Sequence, residues 1–289
     1  MMQQQTFIND NTSTAIDKIT TINPTNPIIR PFFQWVGGKR KIVDKLIERI
    51  PLGLNNYYEP FLGGGALFFQ VKNRFNKCFL SDINLELVTS YNAVKKYPAK
   101  IIELCESYRL KHSKEYYNQV RDNNINSNDP TEITARFLYL NRYSFRGIYR
   151  VNKHDQVRMS CSTRNYATFG NFTTILNQCS RTLQDTTIYA GDFSFIEPQA
   201  NDLVYFDPPY HKSGEVFYTR LPFSEDDQVR LNKFAMELSN KGIKLMISNS
   251  DTSFIRELYK DFNISTITIK YPISNYRRTS NEVLITNYV

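Results

Sequence analysis

Leu203-Val204-Tyr205-Phe206-Asp207-Pro208-Pro209-Tyr210 is an apolar run that stops at a carboxylate, two prolines and an aromatic ring. The run reads as a buried strand. Proline has no N–H and fixes its own φ, so two in succession stiffen the following turn and leave carbonyls as acceptors. A strand end built this way suits a flat, amine-bearing ring. The carboxylate accepts hydrogen bonds from an exocyclic NH2, and the aromatic face stacks on the ring. The same residues also suit a plain strand-ending turn, so a second feature has to decide.

That feature lies upstream. Asn56–Glu59 reads as a short strand, and Pro60 leads into Phe61-Leu62-Gly63-Gly64-Gly65 before a helix opens at Ala66. Glycines there let the backbone approach a ligand closely. Cys78–Asp82 reads as the next strand, and it ends on Asp82 about 20 residues after the first strand, where a carboxylate can accept both hydroxyls of a ribose. The turn is not Gly-x-Gly-x-x-Gly, and Gly37-Gly38-Lys39 lacks the Walker A pattern, which argues against an ATPase.

Ile42, Val43, Leu46, Ile47 and Ile50 recur at helical spacing, and Asn84–Lys96 predicts another helix. Strand signals return at Thr186–Ala190, Asp202–Phe206, Ile243–Ile247, Ile264–Lys270 and Glu282–Thr286. Short strands alternating with helices predict an α/β fold: a mainly parallel sheet with helices on both faces, its last two strands antiparallel. Residues 98–150 read as helical around a polar loop at Asp122–Pro130, and 151–180 read as polar and poorly periodic. The expected division is a flexible tail (1–29), a first α/β part (30–97), an insertion (98–180) and a second α/β part (181–289).

The 289 residues carry a formal charge of +8 with a pI near 9.2, which favours a polyanionic partner. The cysteines at 78, 105, 161 and 179 show neither metal spacing nor a dense disulfide pattern. The expectation is an intracellular, reducing location, cytoplasmic or nucleoid-associated. No apolar run approaches the roughly 20 residues needed to span a bilayer, and the polar start lacks a secretory h-region.

Taken in order, Trp35-Val-Gly-Gly-Lys39, Glu59-Pro-Phe-Leu-Gly-Gly-Gly65, Ser81-Asp-Ile-Asn84, Leu140-Asn-Arg-Tyr143, Gly147-Ile-Tyr-Arg-Val-Asn152, Asp207-Pro-Pro-Tyr210, Ile247-Ser-Asn-Ser-Asp251 and Asn281-Glu-Val-Leu284 carry a resemblance. The chain resembles the Dam-family DNA adenine-N6 methyltransferases, alpha-group amino-methyltransferases, over about residues 31–289. The resemblance implies a Rossmann-like methyltransferase sheet with an inserted, mainly helical recognition domain. It implies S-adenosyl-L-methionine (AdoMet) as methyl donor, S-adenosyl-L-homocysteine as product, and no metal. Trp35, Gly37, Gly38, Lys39, Phe61, Gly63 and Gly65 would line the cofactor site, with Asp82 on the ribose and Asp192 and Phe193 near the adenine. Asp207, Pro208, Pro209 and Tyr210 would form the catalytic motif. Cytosine N4 is a similar exocyclic amine, and a catalytically silent DNA-binding module is the alternative from another class.

Duplex DNA is the implied partner, with no membrane and no obligate protein partner. By the same resemblance Phe145 would intrude into the duplex, while Arg146, Ile148 and Arg150 would lie at or beside base-contacting positions. Arg150 suits a bidentate pair to guanine. Lys153, Arg158, Arg277 and Arg278 would contact phosphates. GATC-specific members usually have a basic residue where Gln34 stands, an Asn where Arg146 stands, and Phe-Asn-Val-Pro-Phe-Gly where this chain reads Val157-Arg-Met-Ser160-Cys161. The target sequence is therefore open, with GATC the leading candidate.

Overall fold

The computed structural model describes residues 29–35, 37–123, 127–145, 159–162, 170–212, 223–273 and 276–289. Its centre is a seven-stranded sheet of β1 (Tyr57–Glu59), β2 (Cys78–Asp82), β3 (Thr186–Ala190), β4 (Leu203–Phe206), β5 (Lys244–Ser250), β6 (Asn263–Ile273) and β7 (Tyr276–Thr286). The strand order is β3-β2-β1-β4-β5-β7-β6. The first five strands are parallel, and β7 runs antiparallel to both β5 and β6.

Side chains alternate across a strand, so a strand buried on both faces reads as unbroken apolar sequence. In β4, Leu203 and Tyr205 enter one core while Val204 and Phe206 enter the other. The first core joins them to Leu46 of α1 (Val43–Glu48), Leu87, Tyr91 and Val94 of α3 (Leu85–Lys96), and residues of three later helices. Those are α4 (Pro98–Leu110), α6 (Pro130–Tyr143) and α7 (Gly170–Thr182). The second core joins Leu231, Ala235 and Leu238 of α8 (Glu225–Asn240) and Ile255 of α9 (Ser253–Leu258) to Leu245, Ile247 and Ile285. Each fully buried apolar side chain of this kind contributes about 1.5–3 kcal/mol. Helices therefore cover both faces, the Rossmann-like α/β architecture expected from the sequence. The remaining helices are the single turn α2 (Phe68–Val71) and α5 (Lys114–Asp122).

One expectation is corrected. Residues 151–180 read as irregular, yet α7 occupies Gly170–Thr182. Its apolar positions Phe172, Leu176 and Cys179, continued by Leu183, are all buried and form one stripe. Asn, Gln, Ser and Arg fill the other faces, and that diluted the stripe below notice. Of the helices of the middle segment, α4, α6 and α7 pack on α3 and α5 on α6, and all four share the first core. β1, β2 and β4 are adjacent and parallel, so Glu59, Asp82 and Asp207 arrive at one edge of the sheet. Ligands of open α/β sheets bind along that edge.

Candidate active site

Asp207 is the first residue beyond β4. Lys39 reaches it from a single 3-10 turn, Lys39–Lys41, and is only 5% exposed. Its Nζ lies 2.8 Å from Asp207 Oδ1, donates to the Gly37 carbonyl at 2.6 Å, and sits over the Tyr210 ring 4.7 Å from its centroid. The Lys39–Asp207 contact is an ion pair; no well-aligned hydrogen bond reaches the buried Oδ1 from the described residues. The Tyr210 hydroxyl donates to Glu282 Oε2 of β7 at 2.8 Å. Glu59, 3% exposed, accepts from the Tyr57 hydroxyl at 2.8 Å.

Burial governs these groups. It pushes the Asp207 carboxyl up to about 6, with Lys39 pulling it down and Glu282 pushing it further up. Burial also lifts Glu59 to about 8, where the Tyr57 bond opposes the rise and the charge of Asp207 adds to it. At neutral pH the site therefore holds an ionised Asp207 beside a largely protonated Glu59.

The turn after Asp207 is fixed from below. Gln228 Nε2 donates to the Pro209 carbonyl at 2.9 Å, and Gln228 Oε1 accepts from Asn249 Nδ2 at 3.0 Å. Asn249 Oδ1 accepts from the backbone N–H groups of His211 and Ser250 at 3.1 and 2.8 Å. The His211 ring is held between Thr252 Oγ1 at 2.9 Å and Glu225 Oε1 at 2.7 Å. The Pro209 carbonyl is thus occupied, whereas among the described residues nothing donates to that of Pro208. The sequence singled out Ile247–Asp251 without a role for Asn249 and passed over Gln228; a polar residue on the inner face of α8 was the available signal.

Across the site, Gly63 (φ +45°) and Gly65 (φ +64°) adopt the left-handed backbone that glycine tolerates. A Cβ on Gly63 would meet Trp35 Cδ1 at 2.8 Å, so the indole lies directly on the turn. Trp35 packs edge-on against Phe137 of α6, and the Asn141 side chain of α6 bonds both the N–H and the carbonyl of Gln34 at 2.9 and 2.8 Å. Asp82 accepts from Gly63 N at 2.9 Å and from Asn84 N at 3.0 Å, and burial raises its carboxyl. Gly37 and Gly38 are exposed beside Lys39.

Phe61 stacks on Phe193 at 5.4 Å. Phe193 is buried under the Arg230 guanidinium, 4.1 Å from its ring, while Phe195 is 68% exposed. Asp192 pairs with Arg230 through both oxygens, at 2.7 and 3.0 Å. Burial raises its carboxyl, but Arg230 and Ser194 outweigh that and hold it at about 2.

Phe145 follows α6 with 54% of its surface exposed. Phe145 N donates to the Ser160 carbonyl and Ser162 N to that of Tyr143, both at 2.8 Å, so residues 143–145 and 160–162 pair antiparallel. Arg146, Ile148, Arg150, Lys153 and Arg158 lie outside the described residues, as do the side chains of Arg277 and Arg278 on β7. Among the described residues no cluster of His, Cys, Asp and Glu could hold a metal, and no helix is long and apolar enough to cross a membrane.

Residues 35–273 match the family model of the D12 class N6 adenine-specific DNA methyltransferases. The chain is 36% identical over 279 residues to the Type II methyltransferase M1.LlaDCHI of Lactococcus lactis subsp. cremoris, covering 90% of this chain and 96% of that one. It is equally 36% identical over 289 residues to the Type II methyltransferase M.MjaIII of Methanocaldococcus jannaschii, covering 90% and 99%. Similarity to the DNA adenine methylase of Escherichia coli (strain K12) is 28% over 262 residues, covering 88% and 92%.

Proposed function

The chain belongs to the D12 class of N6 adenine-specific DNA methyltransferases, and from that footing we propose that it moves the methyl group of AdoMet to N6 of an adenine extruded from duplex DNA. S-adenosyl-L-homocysteine is the second product. One observation carries the reading: a buried Asp207, ion-paired at Oδ1 with Lys39, stands next to a ring face and to a Pro208 carbonyl that no described residue donates to.

Adenine N6 is a poor nucleophile because its lone pair is delocalised into the ring. Asp207 and the Pro208 carbonyl accept its two hydrogens, which favours a tetrahedral nitrogen with the lone pair directed outward. Tyr210 stacks on the base, and its hydroxyl bond to Glu282 fixes the ring plane. AdoMet, when bound, supplies an electrophilic methyl on a sulfonium that leaves with the S–C electron pair. The nitrogen releases one proton to solvent water after the N–C bond forms.

The residues fit such a cofactor. Gly63, Gly65, Trp35 and Phe61 shape a close-approach turn, and Asp82 presents a buried carboxylate beside it for the ribose. Gly37 and Gly38 lie exposed at the same edge, and Asp192 and Phe193 stand at the end of β3 for the adenine. The segment 98–180 is assigned to target recognition. In it Phe145 is poised to enter the duplex, Arg146, Ile148 and Arg150 to read bases, and Lys153 and Arg158 to hold phosphates with Arg277 and Arg278. GATC is the leading target.

Incubation with methyl-labelled AdoMet and a random duplex library, read by nucleoside analysis and single-molecule sequencing, tests all of this. N6-methyladenine in one sequence context is expected. N4-methylcytosine would replace the target base, and tight DNA binding without transfer would leave a silent module.

A further inference from the structure

The Lys39 ammonium stands where the reading above puts the target amine. It is withdrawn from water and faces three groups: Asp207 Oδ1 at 2.8 Å, the Gly37 carbonyl at 2.6 Å and the Tyr210 ring at 4.7 Å. An exocyclic amine seated there meets the same carboxylate and ring face, with the Pro208 carbonyl in place of that of Gly37. Stacked aromatic rings lie with centroids roughly 4.5–7 Å apart, so a base stacked on Tyr210 takes the layer that the ammonium fills. Lysine suits the task, being a compact charge on a flexible stem that can swing aside.

We propose that Lys39 holds the adenine subsite in the empty enzyme and leaves Asp207 when the extruded base enters, so that it serves the base site and not only the cofactor site. Its presence has a chemical reason. A buried carboxylate left alone takes up a proton, and a protonated Asp207 would point a donor at the N6 donors. Lys39 keeps Asp207 an acceptor until the base arrives. Glu282 also faces the cluster and disfavours the ionised form of Asp207, Glu59 beside it is largely protonated, and the Tyr210 hydroxyl lends Asp207 a neutral donor, so Lys39 supplies the positive charge that holds it ionised.

This inference rests on the proposed adenine chemistry, and the tests separate the two. The wild-type chain is first assayed for N6-methyladenine; its absence overturns that chemistry and this role together. Crystal structures are then compared for wild type with S-adenosyl-L-homocysteine and a duplex carrying either the target adenine or an abasic site there. Lys39 Nζ should lie on Asp207 in the abasic complex and have left it in the adenine complex. Nζ still on Asp207 with adenine seated refutes the role while leaving the chemistry intact. In solution, Lys39→Met should move the acid limb of the single-turnover pH profile upward by roughly 1–3 pH units, and Lys39→Arg should move it less. A uniform loss of rate with the limb unmoved marks a merely structural lysine and overturns the proposal.

Discussion

Replacing Gly63 by alanine tests whether the cofactor turn and the Trp35 strap are one packed unit. Two costs can be worked out. At φ +45° an alanine sits in the left-handed region, which costs an L-residue about 1–2 kcal/mol. The new Cβ would also stand 2.8 Å from Trp35 Cδ1 and 3.0 Å from Nε1, and relieving such overpacking costs about 1–3 kcal/mol. The indole cannot retreat freely, because Phe33 and Phe137 pack edge-on against it. The total is about 2–5 kcal/mol, a large share of a typical stability of roughly 5–15 kcal/mol. Trp35 is the single tryptophan of the chain, so its emission reports this spot alone. Urea unfolding followed by tryptophan fluorescence and by far-UV circular dichroism gives both the loss of stability and the change of environment. Adding Trp35→Leu should remove the steric part and leave only the cost in φ, so the double variant should lose less than the sum of the singles. A Gly63→Ala protein less than about 1 kcal/mol below wild type, with unaltered emission, would refute the packing argument.

Asp207→Asn presents an NH2 to the N6 donors. It should lower methyl transfer at least ~100-fold, about 2.7 kcal/mol, while calorimetric AdoMet binding changes far less; equal losses would move Asp207 to the cofactor site. On the proposed mechanism transfer requires ionised Asp207, so the wild-type single-turnover rate should fall as pH drops through about 6, and a flat profile from pH 5 to 8 would count against that role. Glu59 holds a proton in the fold up to about 8 and loses it near 4.5 when unfolded, so wild-type stability should decline as pH rises between those values. Glu59→Gln should remove most of that decline, an amount of about 5 kcal/mol at most, leaving the smaller part due to Asp207; melting curves at pH 5.5 and 8.5 that shift equally for both proteins would sink it. Gln228→Leu strips partners from the Pro209 carbonyl and the Asn249 amide, which should destabilise the chain by about 2–5 kcal/mol and slow transfer without weakening AdoMet binding; a normal transfer rate would show that the turn holds its shape unaided.

What could be read from the sequence was what a local pattern encodes. β4 was legible because burial on both faces leaves Leu203–Phe206 without a polar residue, and Asp207-Pro-Pro-Tyr210 because prolines punctuate its end. α7 was not, since one apolar stripe in four polar-rich turns is a faint signal. The pairing of Lys39 with Asp207 was not legible at all, for it joins a turn before α1 to the end of β4. That pairing shows how the site is held together. The sheet supplies the carboxylates, but the cation arrives on a strap outside the sheet. The strap is fixed at Gln34 by Asn141 of α6 and at Trp35 by the glycine turn. α6, within the segment proposed to recognise the target, and the glycine turn proposed to receive the cofactor therefore both bear on the position of Lys39, and through it on the charge of Asp207. A shift at either support should appear at the base site. Asn141→Ala and Gly63→Ala should thus both move the acid limb of transfer toward higher pH, in the same direction as Lys39→Met, although neither residue touches Asp207.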